Sequence, residues 1–571
     1  MNNKLNLVLC WHMHQPWYRE RQDGEFRLPW VYLHALKDYS DMAHHLEAHP
    51  NVRAVVNFVP VLLEQLDAYA KQGRDWIDNG TPFSDPMLNL LAGVTPIPES
   101  NKDREQLVHL CTRANRERMI DAHNHFHRLC HYVHPDPTQP IDHRIIPHLK
   151  DSYFLDLLTW YHLAWLGHSI KQRDDVKSLM EKGGCYTEAD RKQLIGIMTE
   201  VFEGIIPRFR ALAEKEQIEL SMTPYAHPIV PLLIDFNSMD CSMPEAPKPF
   251  YPDYTGGEDR AHWHMQHGLE VFEHYFGIRP RGVWLSEGSV SNEALYLLSE
   301  FGFSWTASGE GVWNNSCRLS QLDVDNPDFR RNLFSVQQVG NKDTRVFFRD
   351  DGLSDLIGFE YQSWIAEDGA RDFVRNLENI NNYLGENAQQ HVVSVILDGE
   401  NAWEYYPDNA FHFLGALYEE LANSHVVNLM TFDQATQECP SVHLPTLCAG
   451  SWVYGTFSTW IGDPDKNRGW NRLVEAKEIF DEVMATDELS DEEQEEATRQ
   501  LAICEGSDWF WWFGDYNPSD SVRDFDELYR LQLKHLYLLL KRPIPTNLND
   551  PLSTGGGEVA NGGTMRRGHN H

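Results

Sequence analysis

The chain has 571 residues, 42% of them hydrophobic, and carries a formal net charge of −36. It can bury a sizeable core, as one large catalytic domain with a smaller companion or as two to three ordinary domains. The acidity argues against nucleic acid and anionic membrane as partners but leaves neutral polymers such as polysaccharides acceptable. Eighteen tryptophans fill cores and also suit sugar binding, where apolar sugar faces lie on indole rings. Nine cysteines without a CxxC pair imply reduced thiols rather than a disulfide frame or zinc knuckle. No run is apolar enough for a spanning helix, and the opening MNNKLNLVLCWHMHQPW has no signal-peptide core, so a cytoplasmic protein is expected.

In chain order, short β-rich runs occupy residues 5–10, 52–58, 218–222, 282–285, 302–306, 345–348 and 392–397. Each ends in a polar or aromatic cluster or near a proline: WHMHQP, Pro60, TPYAHP, SEGS, ASGE, RDDGLSD and DGENAW. Between them lie stretches of helical spacing such as 153–166 and 191–206, the latter expected to stop at Pro207. Strands alternating with helices predict βα units, a parallel sheet and an α/β barrel whose site gathers at the strands' C-terminal ends. Residues 426–431 are a candidate for one more strand. The barrel is expected over 1–435 and a mainly helical region over 436–545, including 472–486, 528–540 and an acidic helix capped by Ser490 with Glu493. The Gly/Asn-rich residues 546–571 are expected to be a disordered tail.

Two carboxylates stand out by position. Glu287 follows GVWLS and Asp398 follows VVSVIL, and period-two alternation would point both from strand ends into the barrel mouth. A glycosidic bond needs such a pair, one carboxylate to attack the anomeric carbon and one carboxylic acid to protonate the leaving oxygen. Salt-bridged or capping acids would look the same on spacing alone. Glu400 and Glu404 are nearby competitors that could orient Asp398 or bind hydroxyls. His12 and His14, two apart on the first strand, share a face and suit either sugar hydroxyls or a metal. His227 falls in a proline-rich loop. His123, His127 and His148 read as surface residues. Trp403, Trp452, Trp460, Trp470 and the run DWFWWFGD concentrate aromatics in the second half. No phosphate-binding glycine loop and no GxSxG elbow is present.

HMHQP, TPYAHPIVPLL, GVWLSEGSV, VILDGENAWEYYP, TWIGDPDKNRGWNRL and EGSDWFWWFGD together resemble the signature regions of glycoside hydrolase family 57, in order from residue 12 to residue 515. The resemblance implies a (β/α)7 barrel followed by a helical bundle, retaining chemistry on α-glucans and no required cofactor. By position it implies Glu287 as nucleophile and Asp398 as general acid/base. His12 and His14 would line the subsite of the attacked glucose, with Trp284 and His227 close by. Asp355, Trp403, Trp460 and Asp508 follow as substrate-binding candidates from motif position. The HQP form differs from the family's branching enzymes and tilts the expectation towards an α-amylase-like enzyme on glycogen or maltodextrins, or a 4-α-glucanotransferase. Two rivals are a metal-dependent barrel hydrolase using His12 and His14, with Asp398 or His227 as third ligand, and a silent glucan-binding protein. Oligomeric state has no signature in the sequence.

Overall fold

The computed structural model describes residues 4–21, 24–136 and 141–557. Ten strands form in chain order: β1 (Leu5–Met13), β2 (Ala54–Phe58), β3 (Ile218–Met222), β4 (Gly282–Val283), β5 (Trp305–Ser308), β6 (Val336–Val339), β7 (Arg345–Phe348), β8 (Val392–Asp398), β9 (Val427–Leu429) and β10 (Ser441–Leu444). Seven of them run parallel in the order β8-β1-β2-β3-β4-β5-β7. Among the described residues this curled sheet meets itself at a single parallel bridge, between Arg349 and Ser394. It is the expected (β/α)7 arrangement, with a seam. Outside the ring, β6 pairs antiparallel to β7 and parallel to β10, while β9 pairs with the first residues of β1.

Alternation along the strands separates two cores. Val8 and Cys10 of β1 join Val55, Trp284, Trp305, Phe347 and Ile396 in an inner cluster. Leu5, Leu7, Leu9, Trp11 and Met13 belong to the larger core that includes the surrounding helices. Gly282 is required by this packing, because a Cβ there would lie 1.9 Å from the Trp305 ring. His12 and Asp398 continue the inward-facing rows and are register partners across β1 and β8. The alternation that fills the barrel thus delivers two polar groups to its mouth.

The outer helices include α1 (Pro60–Asn79), α2 (Asp151–Ala164), α3 (Glu188–Glu214) and α4 (Gly257–Phe276). Helix α3 does not stop at Pro207 as the sequence predicts. An interior proline costs roughly 3 kcal/mol, and buried Phe202, Ile205, Phe209 and Leu212 on both sides of it hold the helix together. The C-terminal region contributes α5 (Pro464–Met484), α6 (Asp491–Cys504), α7 (Ser507–Trp512) and α8 (Ser519–Leu539). The Ser490–Glu493 capping box forms. Strand β10 lies past residue 435 and still belongs to the sheet. Residues 546–557 are not the start of a disordered tail. Leu548 and Leu552 are buried, and the buried Ser553 hydroxyl donates to Asp465 at 2.8 Å. The remainder of that expected tail lies outside the described residues. Among the described residues no helix is long and apolar enough to cross a membrane.

One buried cluster fastens the helical region to the barrel. Glu505, at the end of α6, accepts from Arg260 at 2.8 Å, His264 at 2.8 Å and Tyr254 at 2.6 Å. Arg260 and His264 lie on α4. Burial alone would raise this carboxyl, but Arg260 and His264 overcome it and hold it at about 2. A fully buried, fully paired charge of this kind fixes position more than it adds net stability. The position it fixes is that of Asp508, three residues on.

Candidate active site

At the mouth, the loop after β3 and the start of α7 are locked together. Pro228 and Gly506 form an antiparallel bridge, and Ser507 N–H donates to the His227 carbonyl at 2.9 Å. His227 sits at φ +60°, a left-handed conformation that costs a non-glycine residue roughly 1–3 kcal/mol. Its Nδ1 meets the Ser507 hydroxyl at 2.8 Å. Through this lock a residue nearly five hundred positions from β1 reaches it: both oxygens of Asp508 face His14 Nε2, at 2.9 and 3.0 Å.

The three histidines form a near-parallel stack. His14 and His227 rings are 3.8 Å apart at 19°, and His12 lies 5.3 Å from His227 at 22°. His12 Nδ1 meets Asn57 Oδ1 at 2.7 Å, while the Asn57 amide group donates to Ser221 at 3.0 Å. That orients the amide, so His12 Nδ1 carries the hydrogen and Nε2 is left to accept. Burial, then the neighbouring His14, pushes His12 down to about 3, and burial likewise carries His227 well below the usual imidazole range. Both rings are neutral at physiological pH.

The donor atoms of His14, His227 and Asp508 lie within 4.8 Å of one another, close enough for one metal ion to bridge. An imidazole binds a metal through a lone pair in its ring plane. Two face-stacked rings 3.8 Å apart hold their planes side by side and do not aim at one common ion. The geometry of this trio fits stacked hydrogen-bonding groups rather than ligands of one shared ion.

The expected carboxylates face one cavity of about 480 Å3, whose wall includes Glu287, Asp398, Glu400, His12, His14 and Asp508. Asp398 arrives as expected, as the last residue of β8. Glu287 does not. Strand β4 ends at Val283, and Glu287 lies beyond it in a short turn at φ +58°, ψ +25°. Period-two alternation therefore does not place its side chain; a left-handed backbone does. Residues 450–452 brace that turn: Val290 and Gly450 pair, and Trp452 N–H donates to the Glu287 carbonyl at 3.0 Å. The Trp452 indole then donates to Glu287 Oε2 at 2.9 Å.

Burial, then the charge of Asp398, pushes the Glu287 carboxyl well above the usual range, against the Trp452 hydrogen bond. Asp398 is also raised by burial, opposed by Asn401 (whose amide donates to Oδ2 at 2.9 Å), His14 and Arg349. Such a pair loses its protons in two shared steps rather than one per residue. Glu400 is raised well above its usual range by burial and then by Asp398. Its Oε1 accepts from His14 N–H and from Gln15, each at 3.3 Å.

The remaining candidates divide. Trp284 is fully buried, packed edge-on to Trp452 at 5.2 Å and 6.3 Å from His12, so it supports the wall rather than forming it. Asp355 acts through Arg349, which donates to it at 3.0 Å and to Asp351 at 2.6 Å. Trp403 and Trp460 are corrected: both are buried outside the cavity wall. The Trp403 N–H is used by the Gly399 carbonyl at 2.8 Å, and its ring packs on Trp11. Trp460 packs on Trp511, which is the ring that reaches the cavity. Sequence reasoning also missed Arg349 and Asn57. Arg349 directly follows β7 and Asn57 is the penultimate residue of β2, in register with His12, so attention to strand ends would have found them. The contact of Trp452 with Glu287 had no local signal.

A curled seven-stranded α/β barrel with paired carboxyls and an aromatic-walled cleft at its strand ends defines the class of barrel glycosidases. The profile of glycosyl hydrolase family 57 matches residues 8–447, and the chain belongs to that family. Among solved structures, the chain is similar to a family 57 branching enzyme from Thermococcus kodakaraensis, in complex with glucose and additives, at 15% identity over 95% of this chain and 93% of that one, with a TM-score of 0.58. It is similar to the α-amylase AmyC from Thermotoga maritima at 13% identity, over 94% and 93% of the chains, TM-score 0.58. A 4-α-glucanotransferase from Thermococcus litoralis matches at 13% identity over 93% of this chain and 60% of its own, TM-score 0.50. A search of curated proteins finds no match. At these identities the three structures establish the fold alone.

Proposed function

We propose that the protein is a retaining α-glucan-active enzyme, α-amylase-like, that cleaves glycogen or maltodextrins. One observation carries this reading: Glu287 and Asp398 face the same cavity, in a chain of a glycosyl hydrolase family. Asp398 protonates the glycosidic oxygen as the Glu287 carboxylate attacks the anomeric carbon, forming a covalent glucosyl ester and releasing the leaving chain. Asp398, now a base, takes a proton from water, which attacks the same carbon and frees Glu287. The Trp452 N–H on Glu287 Oε2 favours the ionised nucleophile. Neutral His12, with Nε2 as an acceptor, and His14, held by Asp508, supply hydrogen bonds to the attacked sugar.

A 4-α-glucanotransferase is the second reading, supported by cavity volume that continues past Glu400 and would hold an acceptor chain. The nine free thiols support a reducing, cytoplasmic setting. Incubation with maltoheptaose in EDTA tests all of this. Shorter maltooligosaccharides alone mean hydrolysis; longer and shorter products together mean transfer. No turnover of any α-glucan would overturn the proposal.

A further inference from the structure

The cavity extends beyond the proposed catalytic pair along the side of Asp398. Glu404 stands on the loop that follows Asp398 after β8, and Trp30 and His34 stand on the segment after β1, the neighbour of β8, whereas Glu287 follows β4, three strands away from β1. Glu404 therefore lies on the acid's side of the cavity and away from Glu287.

Three polar groups converge there. Glu404 is half-buried on the short turn Trp403–Tyr405, lines the cavity, and no hydrogen bond from the described residues reaches its carboxyl. Trp165 is 2% exposed, lines the same cavity, and its indole N–H has no partner among the described residues. His34 is tied through Nδ1 to Asp38 at 2.7 Å, so its Nε2 is free to accept. Asp38 is itself clamped by Lys37 at 2.6 Å, and Lys37 also donates to Asn409 at 3.0 Å. The supporting charges are thus consumed behind the wall. The Trp30 ring, 6.0 Å from Trp165 and tilted 53° to it, supplies an apolar face.

A buried donor with nothing to bond costs free energy unless a ligand completes it. A carboxylate acceptor, an indole donor, an imidazole acceptor and an aromatic face match the hydroxyls and apolar face of a pyranose. They do not match an anion. We infer that His34, Trp165 and Glu404 form a second sugar-binding station, which holds a glucosyl unit of the chain on the leaving-group side of the scissile bond. The inference rests on the reading of the protein as an α-glucan-active enzyme and adds where its leaving or acceptor chain lies.

Two substrates separate the sides of the bond. Maltoheptaose fills the leaving-group side with sugar, whereas α-maltotriosyl fluoride expels fluoride and leaves that side empty. In Glu404→Ala, kcat/KM for maltoheptaose should fall about 10- to 100-fold, the worth of a charge-assisted hydrogen bond, with fluoride release within about twofold of wild type. Trp165→Phe, which keeps the ring stack and removes the N–H, should show the same selective loss at smaller size, and Glu404→Gln should recover part of it. Equal losses on both substrates, or none on maltoheptaose, overturn the station while leaving the α-glucan reading intact. If wild-type protein turns over neither substrate, that reading itself fails and the station with it.

Discussion

Two clusters of buried carboxyl groups sit within one molecule and behave in opposite ways. Glu505 is fully buried and held near 2 because Arg260, His264 and Tyr254 occupy its oxygens. Glu400 is buried and Glu287 and Asp398 are half-buried at the mouth, yet all three are pushed upwards, chiefly by desolvation. The difference is counter-charge. Around Glu505 the protein provides enough to outweigh burial; at the mouth one indole N–H for Glu287, and one amide with the more distant His14 and Arg349 for Asp398, do not. Burial with compensation makes an anchor, and burial without it makes a proton-transfer site.

The largest expected effect comes from removing a member of the uncompensated set. Glu287→Gln should lower kcat on maltoheptaose by at least about a thousandfold with thermal unfolding near that of wild type, since no ion pair is lost. Near-normal turnover in that variant would sink the assignment. The mirror experiment removes the compensated acid. Glu505→Gln leaves Arg260 buried without its partner and should cost roughly 3–5 kcal/mol of stability, read as a lower denaturation midpoint. The pH dependence has a definite sign. A carboxyl held below its unfolded value of about 4.3 contributes stability that is complete above that value and is lost as pH falls towards the folded value of about 2. Between those limits the wild type should lose its advantage over Glu505→Gln. A constant gap from pH 7 to pH 2 would show that Glu505 is not the anchor.

The contrast also separates what was legible in the sequence from what was not. Asp398 could be read because β8 is a regular strand ending on it, and the 3.3 Å pleat carries His12 and Asp398 to the same rim. Glu287 was found by position, but its stated route was wrong: a two-residue strand followed by a left-handed turn has no alternation to extrapolate. The parallel sheet was legible from its apolar runs, and the seam at Arg349–Ser394 was not, because one bridge leaves no pattern. Pro207 and Leu548 failed for a shared reason. Tertiary burial overrode a local signal, proline in the first case and loop composition in the second. Trp403 and Trp460 show the limit of counting aromatics. Composition says rings are abundant, and only packing says which of them face a cavity.

A smaller effect should appear in the pH profile of the mouth. Activity requires one ionised and one protonated carboxyl, so kcat/KM should rise through the first proton loss of the Glu287–Asp398 pair and fall through the second. Burial raises both groups, and their repulsion raises the second loss further. The acid limb should therefore lie above the ordinary carboxylate range of about 4, and the optimum should move towards neutrality. An acid limb at or below that range would mean that the pair is compensated after all.

Trp452→Phe sharpens the comparison with the least disruption. It removes the indole N–H donated to Glu287 Oε2, leaves an aromatic ring against Trp284, and touches neither carboxyl. With the one opposing hydrogen bond gone, the ionised form of Glu287 loses stabilisation, so the acid limb should shift to higher pH. A hydrogen bond to a charged group is worth roughly 1.5–3 kcal/mol, which sets a fall in kcat/KM of about 10- to 100-fold below the optimum, shrinking as pH rises past the new limb. That recovery distinguishes a proton effect from a shape effect. A loss of the same size at every pH would mean that Trp452 acts by bracing the left-handed turn, and that the nucleophile's ionisation is set elsewhere.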